Sequence, residues 1–446
     1  MEINKFSLKN IGRFESIEVP LAPTELVSSN VTVLVGNNGA GKTSLLKSLA
    51  TSLSWLVARI RSEKGSGSPI AEEVIRNDAN SAAIELELLD RQDTNPESYR
   101  WVLAKARAGR KGEHSSSLQS LNELAGRYRI KLSEEDNVSL PLIAFYPVER
   151  AVLDIPLKIK EKHSFFQLDG YDNSLNQGVD FRRFFEWFRE REDSENESGI
   201  SQDVLEKLAA TLDEESDIWK TLSGLKASSR DRQLTAVRTA IAHFMPEFSD
   251  LRVRRKPRLH MSVTKQGETL NVAQLSQGEK SLMALIGDIA RRLAMMNPSL
   301  ENPLTGDGIV LIDEVDMHLH PKWQRTLIAR LTTTFPNCQF VLTTHSPLVI
   351  SDNKSLLVYL LDDGEITPVS SLYGQDANSV LLDVMNTDIR NADINKKLND
   401  LLDAIQDKQL TQARTLLAEL EAELPESNIE LLKARLLLRK QELRHA

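Results

Sequence analysis

Short, uninterrupted apolar runs mark the chain at four places: Val31-Thr-Val-Leu-Val35, Leu140-Pro-Leu-Ile-Ala-Phe-Tyr146, Ile309-Val-Leu-Ile312 and Cys338-Gln-Phe-Val-Leu342. A strand that is apolar at successive positions buries both faces, as strands do in a parallel sheet covered by helices. Helically spaced apolar residues accompany them: Ser44-Leu-Leu-Lys-Ser-Leu49 after the first run and Ser281-Leu-Met-Ala-Leu-Ile-Gly-Asp-Ile-Ala290 before the third. The pattern predicts an α/β fold.

Elsewhere the pattern changes. Residues 51–150 carry the end of a first helix, a loop at Lys64-Gly-Ser-Gly-Ser-Pro69, strands at Ser81-Ala-Ala-Ile-Glu-Leu-Glu-Leu-Leu89 and Tyr99-Arg-Trp-Val-Leu-Ala104, and a polar helix around Ser117 to Leu124. Residues 160–250 read as mostly helical, with an aromatic patch from Phe181 to Phe188 and an acidic stretch from Glu190 to Glu197. Leu356 to Pro368 forms a strand pair with Asp363-Gly364 at its turn. Three helices follow, beginning near Asn395, Thr411 and Asn428, the last with Ser427 and Glu430 as a capping box. The expected divisions are 1–150, 151–250 (mainly helical), 251–370 and 371–446 (helical, built to meet a partner).

The chemistry lies where the apolar runs end. After the first comes Gly36-Asn37-Asn38-Gly39-Ala40-Gly41-Lys42-Thr43, which fits G-x-x-x-x-G-K-[ST] between a strand and a helix. Close-wrapping glycines let backbone N–H groups and the helix N-terminus hold phosphate oxygens. Residues Gly36 through Ser44 are thus nucleotide-binding candidates, Lys42 also reaching the β- and γ-phosphates and Thr43 serving as a Mg²⁺ ligand. The third run ends in Asp313-Glu314. Asp313 is placed to hold Mg²⁺, and Glu314 to orient and deprotonate the attacking water. A lone acid pair after a strand is more simply a solvated strand end. With a complete phosphate loop in the same chain, ATP hydrolysis is the better reading.

The order phosphate loop, Leu275-Ser276-Gln277-Gly278-Glu279, Asp313-Glu314, then Leu342-Thr-Thr-His345 resembles the ATP-binding-cassette type head of the SMC, RecF and overcoming-lysogenization-defect ATPases, over residues 1 to about 50 and 265 to 365. The resemblance implies a mixed sheet with flanking helices and two ATP molecules sandwiched between two copies facing head to tail. Ser276 and Gly278, with Glu279 in the same turn, would contact the γ-phosphate bound by the opposite copy. His345 would be the switch histidine and Asp316 the D-loop residue that crosses the interface. Arg13 matches the basic residue of the first hairpin that approaches nucleotide; its other reading is a solvated turn charge. Gln277 stands where many transporters have glycine. No glutamine marks the Q-loop after Tyr146, where Glu149 or Arg150 would stand in. His318 and His320 suggest a metal pair, but without a nearby cysteine the D-loop reading is stronger.

Segments at Phe145-Tyr-Pro-Val-Glu-Arg, Gln274-Leu-Ser-Gln-Gly-Glu-Lys280 and Ser371 to Val380, with the helical tail, resemble the PtuA family, the ATPase subunits of Septu and retron-linked anti-phage systems. That resemblance implies a separate PtuB-like HNH nuclease as partner, a homo-oligomer, and nucleic acid as the target of the complex. No nuclease constellation is found in the chain itself. The alternatives are a RecF- or RecN-like repair ATPase acting without a nuclease, and a nucleotide-locked scaffold with negligible turnover.

Composition narrows the surroundings. With no apolar run long enough to span a bilayer and no secretion-signal pattern at Met1-Glu-Ile-Asn-Lys-Phe6, a cytoplasmic enzyme without membrane contact is expected. The single cysteine, Cys338, excludes a disulfide within the chain, and the stretch between Thr43 and Leu275 is too short for a long coiled-coil arm. A net charge of −9 argues against general nucleic-acid affinity, so any phosphate contact falls to local basic segments. Two exist: Lys105 to Lys111 in a loop, and Leu251 to Met261, where Arg252, Arg254, Lys256, Arg258 and His260 are expected on one strand face.

Overall fold

In the computed structural model, which describes residues 1–91, 96–135, 137–148, 165–176, 179, 181–198, 230–370, 372–385, 387–388 and 390–445, the chain divides into two compact units, Met1–Gln375 and Asp376–Ala446. The first unit begins with β1 (Glu2–Ile11), β2 (Phe14–Pro20), β3 (Val31–Gly36), α1 (Lys42–Arg61), β4 (Ser81–Asp90), β5 (Glu97–Ala106), α2 (Gln119–Glu134) and β6 (Leu142–Tyr146). It continues through α3 (Phe181–Ser198), α4 (Arg232–Phe244), β7 (Phe248–Arg254), β8 (His260–Lys265), β9 (Glu268–Asn271) and α5 (Gln277–Met296). It ends with β10 (Gly308–Ile312), α6 (Pro321–Thr334), β11 (Cys338–Thr343), α7 (Pro347–Ser351), β12 (Leu357–Asp362) and β13 (Glu365–Val369).

The four apolar runs become β3, β6, β10 and β11, buried at every position. They lie within a six-stranded sheet of order β13-β12-β3-β11-β10-β6, parallel from β12 to β6 with β13 antiparallel at the edge. This is the predicted mixed sheet with flanking helices. Because the five strands are parallel, their carboxyl ends emerge together, and ligands of open α/β sheets bind at such an edge. At the β12–β13 turn, Asp363 and Gly364 both have positive φ, 41° and 85°, as a type I′ hairpin requires.

A second, antiparallel sheet has the order β2-β1-β4-β5. The α1 helix contacts both sheets, so nearly all its faces are buried, and Trp101 of β5 donates to the Ser52 hydroxyl at 2.9 Å. One side chain staples the sheets directly. Gln339 of β11 accepts from the Ile3 N–H at 2.8 Å and donates to the carbonyls of Ile3 and Ala22 at 2.8 and 2.7 Å. Behind the central sheet, α5 is buried at every residue from Ser281 to Met296. The predicted aromatic patch lies on α3, where Phe184 packs against Gly287 of α5 so closely that an added Cβ would lie 2.8 Å from the ring.

Three readings of the sequence need correction. Residues 251–261 are a hairpin, β7 paired antiparallel with β8, and not one strand. Pro257 supplies no N–H to a ladder, so Lys256 and Arg258 fall in the turn, while Arg254 pairs in register with His260. The helix predicted near Ser117 starts at Gln119 and runs to Glu134. In the second unit, Asn428 rather than Ser427 caps the last helix, accepting from the N–H groups of Glu430 and Leu431 at 3.0 and 3.3 Å. Glu149 and Arg150 lie outside the described residues.

The second unit consists of a short helix, α8 (Ala377–Asp383), and three longer ones: α9 (Ala392–Gln406), α10 (Leu410–Glu423) and α11 (Ile429–His445). These three enclose their own core of Leu398, Leu401, Ile405, Ala413, Leu420 and Leu431 with their neighbours. Among the described residues no helix is long and apolar enough to cross a membrane.

Gln339→Leu is expected to destabilise the first unit by about 2 kcal/mol or more, since buried backbone groups that lose a partner cost roughly 1–3 kcal/mol each. Urea unfolding followed by circular dichroism measures it.

Candidate functional site

At the end of β3 the chain turns through Asn37–Gly39, exposed at the tip, and re-enters the core at Ala40. Gly41 then adopts φ 104° with the Phe14 ring beneath it, where an added Cβ would come within 2.6 Å of the ring. Glycine is required there on both counts. The Lys42 ammonium turns back into the loop and donates to the carbonyls of Gly36 at 2.7 Å and Asn37 at 3.1 Å. Burial pushes its pKa down, and the carboxylates of Glu314, Asp313 and Asp316 act in the opposite direction. The parallel order β3-β11-β10 brings the loop and the acids out at the same edge of the sheet.

The acids are placed by strand register. Ile312 of β10 pairs with Tyr146 of β6 on one side and Leu342 of β11 on the other. The N–H of fully buried Asp313 donates to the Tyr146 carbonyl at 2.9 Å. The next residue of β11, Thr343, donates its hydroxyl to Asp313 Oδ1 at 2.6 Å and accepts from the Glu314 N–H at 2.7 Å. Glu314 is held at φ 43°, a conformation that a non-glycine residue adopts only when its surroundings impose it. The strained carboxylate thus has its backbone pinned by one threonine hydroxyl. Thr343 had no separate signal in the sequence beyond two hydroxyl residues before His345.

His345 is exposed just past the strand. Thr344, beside it, donates to Asp316 and accepts from the Ser346 N–H at 3.0 Å. Gln324 of α6 accepts from the Ser346 hydroxyl at 2.8 Å and donates to the Leu319 carbonyl at 2.9 Å. The segments that carry Asp316 and His345 are thereby tied together by Thr344 and Gln324, two residues without a signal of their own in the sequence. His320 is the N-cap of α6, its Nδ1 accepting from the Lys322 N–H at 3.2 Å, which gives this histidine a structural role. Arg13 reaches the loop from the β1–β2 turn: its guanidinium stands 3.6 Å from where a Gly39 Cβ would be, and 3.8 Å from Asp363.

The Ser276–Glu279 turn is built differently. The Ser276 hydroxyl accepts from the Glu279 N–H at 3.3 Å while the Glu279 carboxylate accepts from the Ser276 N–H at 2.8 Å, a reciprocal cap on α5. Lys265 binds the other Glu279 oxygen at 2.5 Å. Burial pushes the Glu279 carboxyl up, but Lys265 and Ser276 outweigh it and hold it below its ordinary value. An added Cβ on Gly278 would lie 2.3 Å from the His318 carbonyl. The turn is thus seated on the D-loop, and Glu279 shapes it.

In the two basic segments expected to meet phosphate, Lys105, Arg110, Lys111, Lys256 and Arg258 are exposed, while two arginines are engaged within the fold. Arg107 donates to the carbonyls of Ile75, Arg76 and Ala79, and Arg252 pairs with Asp250.

Comparison with known proteins places residues 31–351 in the family described as "AAA domain, putative AbiEii toxin, Type IV TA system". The chain is 34% identical over 405 residues to the retron Vc95 probable ATPase of Vibrio cholerae serotype O1 biovar El Tor, covering 84% of this chain and 78% of that protein. It is 35% identical over 400 residues to the retron Ec83 probable ATPase of Escherichia coli, covering 82% and 72%. A 74-residue stretch, 17% of this chain and 10% of the relative, is 45% identical to the Septu protein PtuA of Bacillus mycoides strain KBAB4. These matches bear out the family resemblance read from the motifs. An SMC head domain from Thermotoga maritima aligns at 17% identity and a TM-score of 0.41, covering 83% of this chain and 100% of that one.

Thr343→Val keeps the shape and removes the hydroxyl. It is expected to destabilise the fold by about 1–3 kcal/mol and to slow ATP turnover at least about tenfold, whereas Thr343→Ser retains most of both; urea unfolding and phosphate release check the pair.

Proposed function

Because the chain belongs to the AAA-domain family of the AbiEii type, alongside the retron ATPases, we propose that it is the ATPase subunit of an anti-phage defence complex that binds and hydrolyses ATP between two copies arranged head to tail. ATP state then regulates a separate HNH nuclease of the PtuB type, which acts on nucleic acid. The observation that carries this reading is the register of β3, β11 and β10, which brings the Lys42 loop and the Asp313-Glu314 pair out at one edge of the sheet, with Thr343 bonded to both acids.

The residues present suit ATP with Mg²⁺. The loop offers backbone N–H groups and an ammonium, and Thr43 and Asp313 offer a hydroxyl and a carboxylate, the hard oxygen donors that Mg²⁺ prefers over softer metals. Bound Mg²⁺ would neutralise charge on the β- and γ-phosphate oxygens. Lys42 would exchange its two loop carbonyls for phosphate oxygens. Glu314, pinned by Thr343, would take a proton from the attacking water, and His345, exposed two residues after Thr343, would sense the γ-phosphate. Arg13 would add positive charge at the loop's outer side.

Head-to-tail pairing is supported by where α5 packs. It contacts β6, at the far edge of the sheet from β3 with β11 and β10 between, and strands are spaced about 4.8 Å apart. Gly278, in the N-terminal turn of α5, lies against the His318 carbonyl, and in this reading Ser276 and Gly278 meet a nucleotide held by another copy. The helical second unit is the proposed contact for the nuclease.

Lys42→Ala is expected to abolish ATP binding. Glu314→Gln should retain binding, lose about 100-fold or more of turnover and accumulate ATP-bound dimers. Ser276→Arg should block pairing while the monomer still binds ATP. Phosphate release, nucleotide binding and light scattering measure these outcomes; unchanged turnover in all three variants would overturn the proposal.

A further inference from the structure

Three charges on α5 are buried and unused by the chemistry above: Asp288, Arg291 and Arg292 are at most 1% exposed. Asp288 Oδ1 accepts from Arg291 at 2.6 and 3.2 Å, and Oδ2 accepts from Arg292 at 2.7 Å and from the Tyr146 hydroxyl at 3.0 Å. Arg292 also donates to the carbonyls of Gly170 and Asp172 at 2.6 and 3.0 Å. The Asp172 carboxylate in turn meets Arg61, in the last turn of α1, at 2.5 Å. Burial pushes the Asp288 carboxyl up, but the two guanidinium groups prevail and hold it at about 2, so the cluster stays ionised at neutral pH.

Such a cluster is poorly explained by stability. Removing several charges from water is expensive, and well-packed apolar residues usually serve a core as well or better. Its geometry offers another reason. Tyr146 holds Asp288 with its hydroxyl and, with its own carbonyl, accepts the Asp313 N–H at 2.9 Å. Ser276 caps the same helix 12 residues earlier, about 18 Å along the axis at 1.5 Å per residue. A helix joined to its surroundings by directional bonds among buried side chains cannot slide without carrying those partners or breaking the bonds.

We propose that Asp288 and Tyr146 couple the two nucleotide sites of a dimer: displacement of α5, when its N-terminus engages ATP held by a second copy, passes through this cluster to the backbone that positions Asp313 in the chain's own site. Tyr146, Asp288 and Arg292 are positioning residues in this scheme, which rests on the head-to-tail reading above.

A double-mutant cycle on ATP turnover tests it. Tyr146→Phe removes one hydroxyl and leaves both arginines on Asp288. It is expected to lower kcat about tenfold, in the range of typical coupling between sites, with ATP affinity and ATP-driven dimerisation within about twofold of wild type. Ser276→Ala, which loosens engagement at the far end of the same path, should also lower kcat. The double variant should be no slower than the slower single variant. Multiplicative losses, or a folded Tyr146→Phe protein with wild-type kcat, would overturn the coupling while leaving head-to-tail hydrolysis intact. Wild-type kcat in Ser276→Ala, with dimers absent in Glu314→Gln, would instead strike the head-to-tail reading and the coupling with it. If Tyr146→Phe fails to fold, Arg292→Lys, which keeps the charge but cannot bond Asp288 and the carbonyls of Gly170 and Asp172 at once, carries the same expectation.

Discussion

An ammonium folded into a loop of backbone carbonyls is tolerated only where negative charge stands close enough to keep it protonated. Lys42 is folded against the carbonyls of Gly36 and Asn37; burial lowers its pKa, and the carboxylates of Glu314, Asp313 and Asp316, from one short stretch after β10, act against that. The requirement fixes much else. The acids must leave the sheet beside the loop, so β10 and β3 must be parallel with only β11 between them. A loop wrapped this tightly also needs Gly41 over the Phe14 ring, which draws the β1–β2 hairpin and its Arg13 up to the site. The antiparallel sheet is therefore part of the nucleotide platform, and Gln339 locks it there.

Backbone strain is concentrated at Glu314, the residue proposed to act on water. Glu314 sits at positive φ one residue beyond a fully buried aspartate, and Thr343 braces both. Thr344 and Gln324 then carry the same rigidity into the D-loop and the switch segment. Thr343 and Thr344 are consecutive at the end of β11 and Gln324 lies on α6, so a strand end and a helix together hold the site.

What the sequence made legible follows from contiguity. The phosphate loop, the acid pair and the Ser276 turn are chemical requirements met within a few neighbouring residues, and the buried strands announce themselves as unbroken apolar runs. Thr343, Gln324, Gln339 and Tyr146 act through partners distant in the chain. Nothing in their local context distinguishes a bracing hydroxyl or amide from any other at a strand end. The basic hairpin was misread because alternation continues through Lys256 and Arg258 in the letters, while Pro257 breaks the ladder in space. Glu279 was legible as part of a motif, but its salt bridge to Lys265 came only from the packing of β8 beside α5.

Whether each site is completed by a second copy is best decided by mixing two inactive chains. Lys42→Ala keeps the Ser276 turn and lacks a working loop; Ser276→Arg keeps the loop and lacks a working turn. In a mixed dimer built head to tail the substituted turn faces the nucleotide-free loop of the Lys42→Ala copy instead of bound ATP, and the other site is intact, so ATP turnover should appear on mixing although neither protein hydrolyses alone. A mixture no more active than its two components, with mixed dimers demonstrably formed, would contradict the shared site.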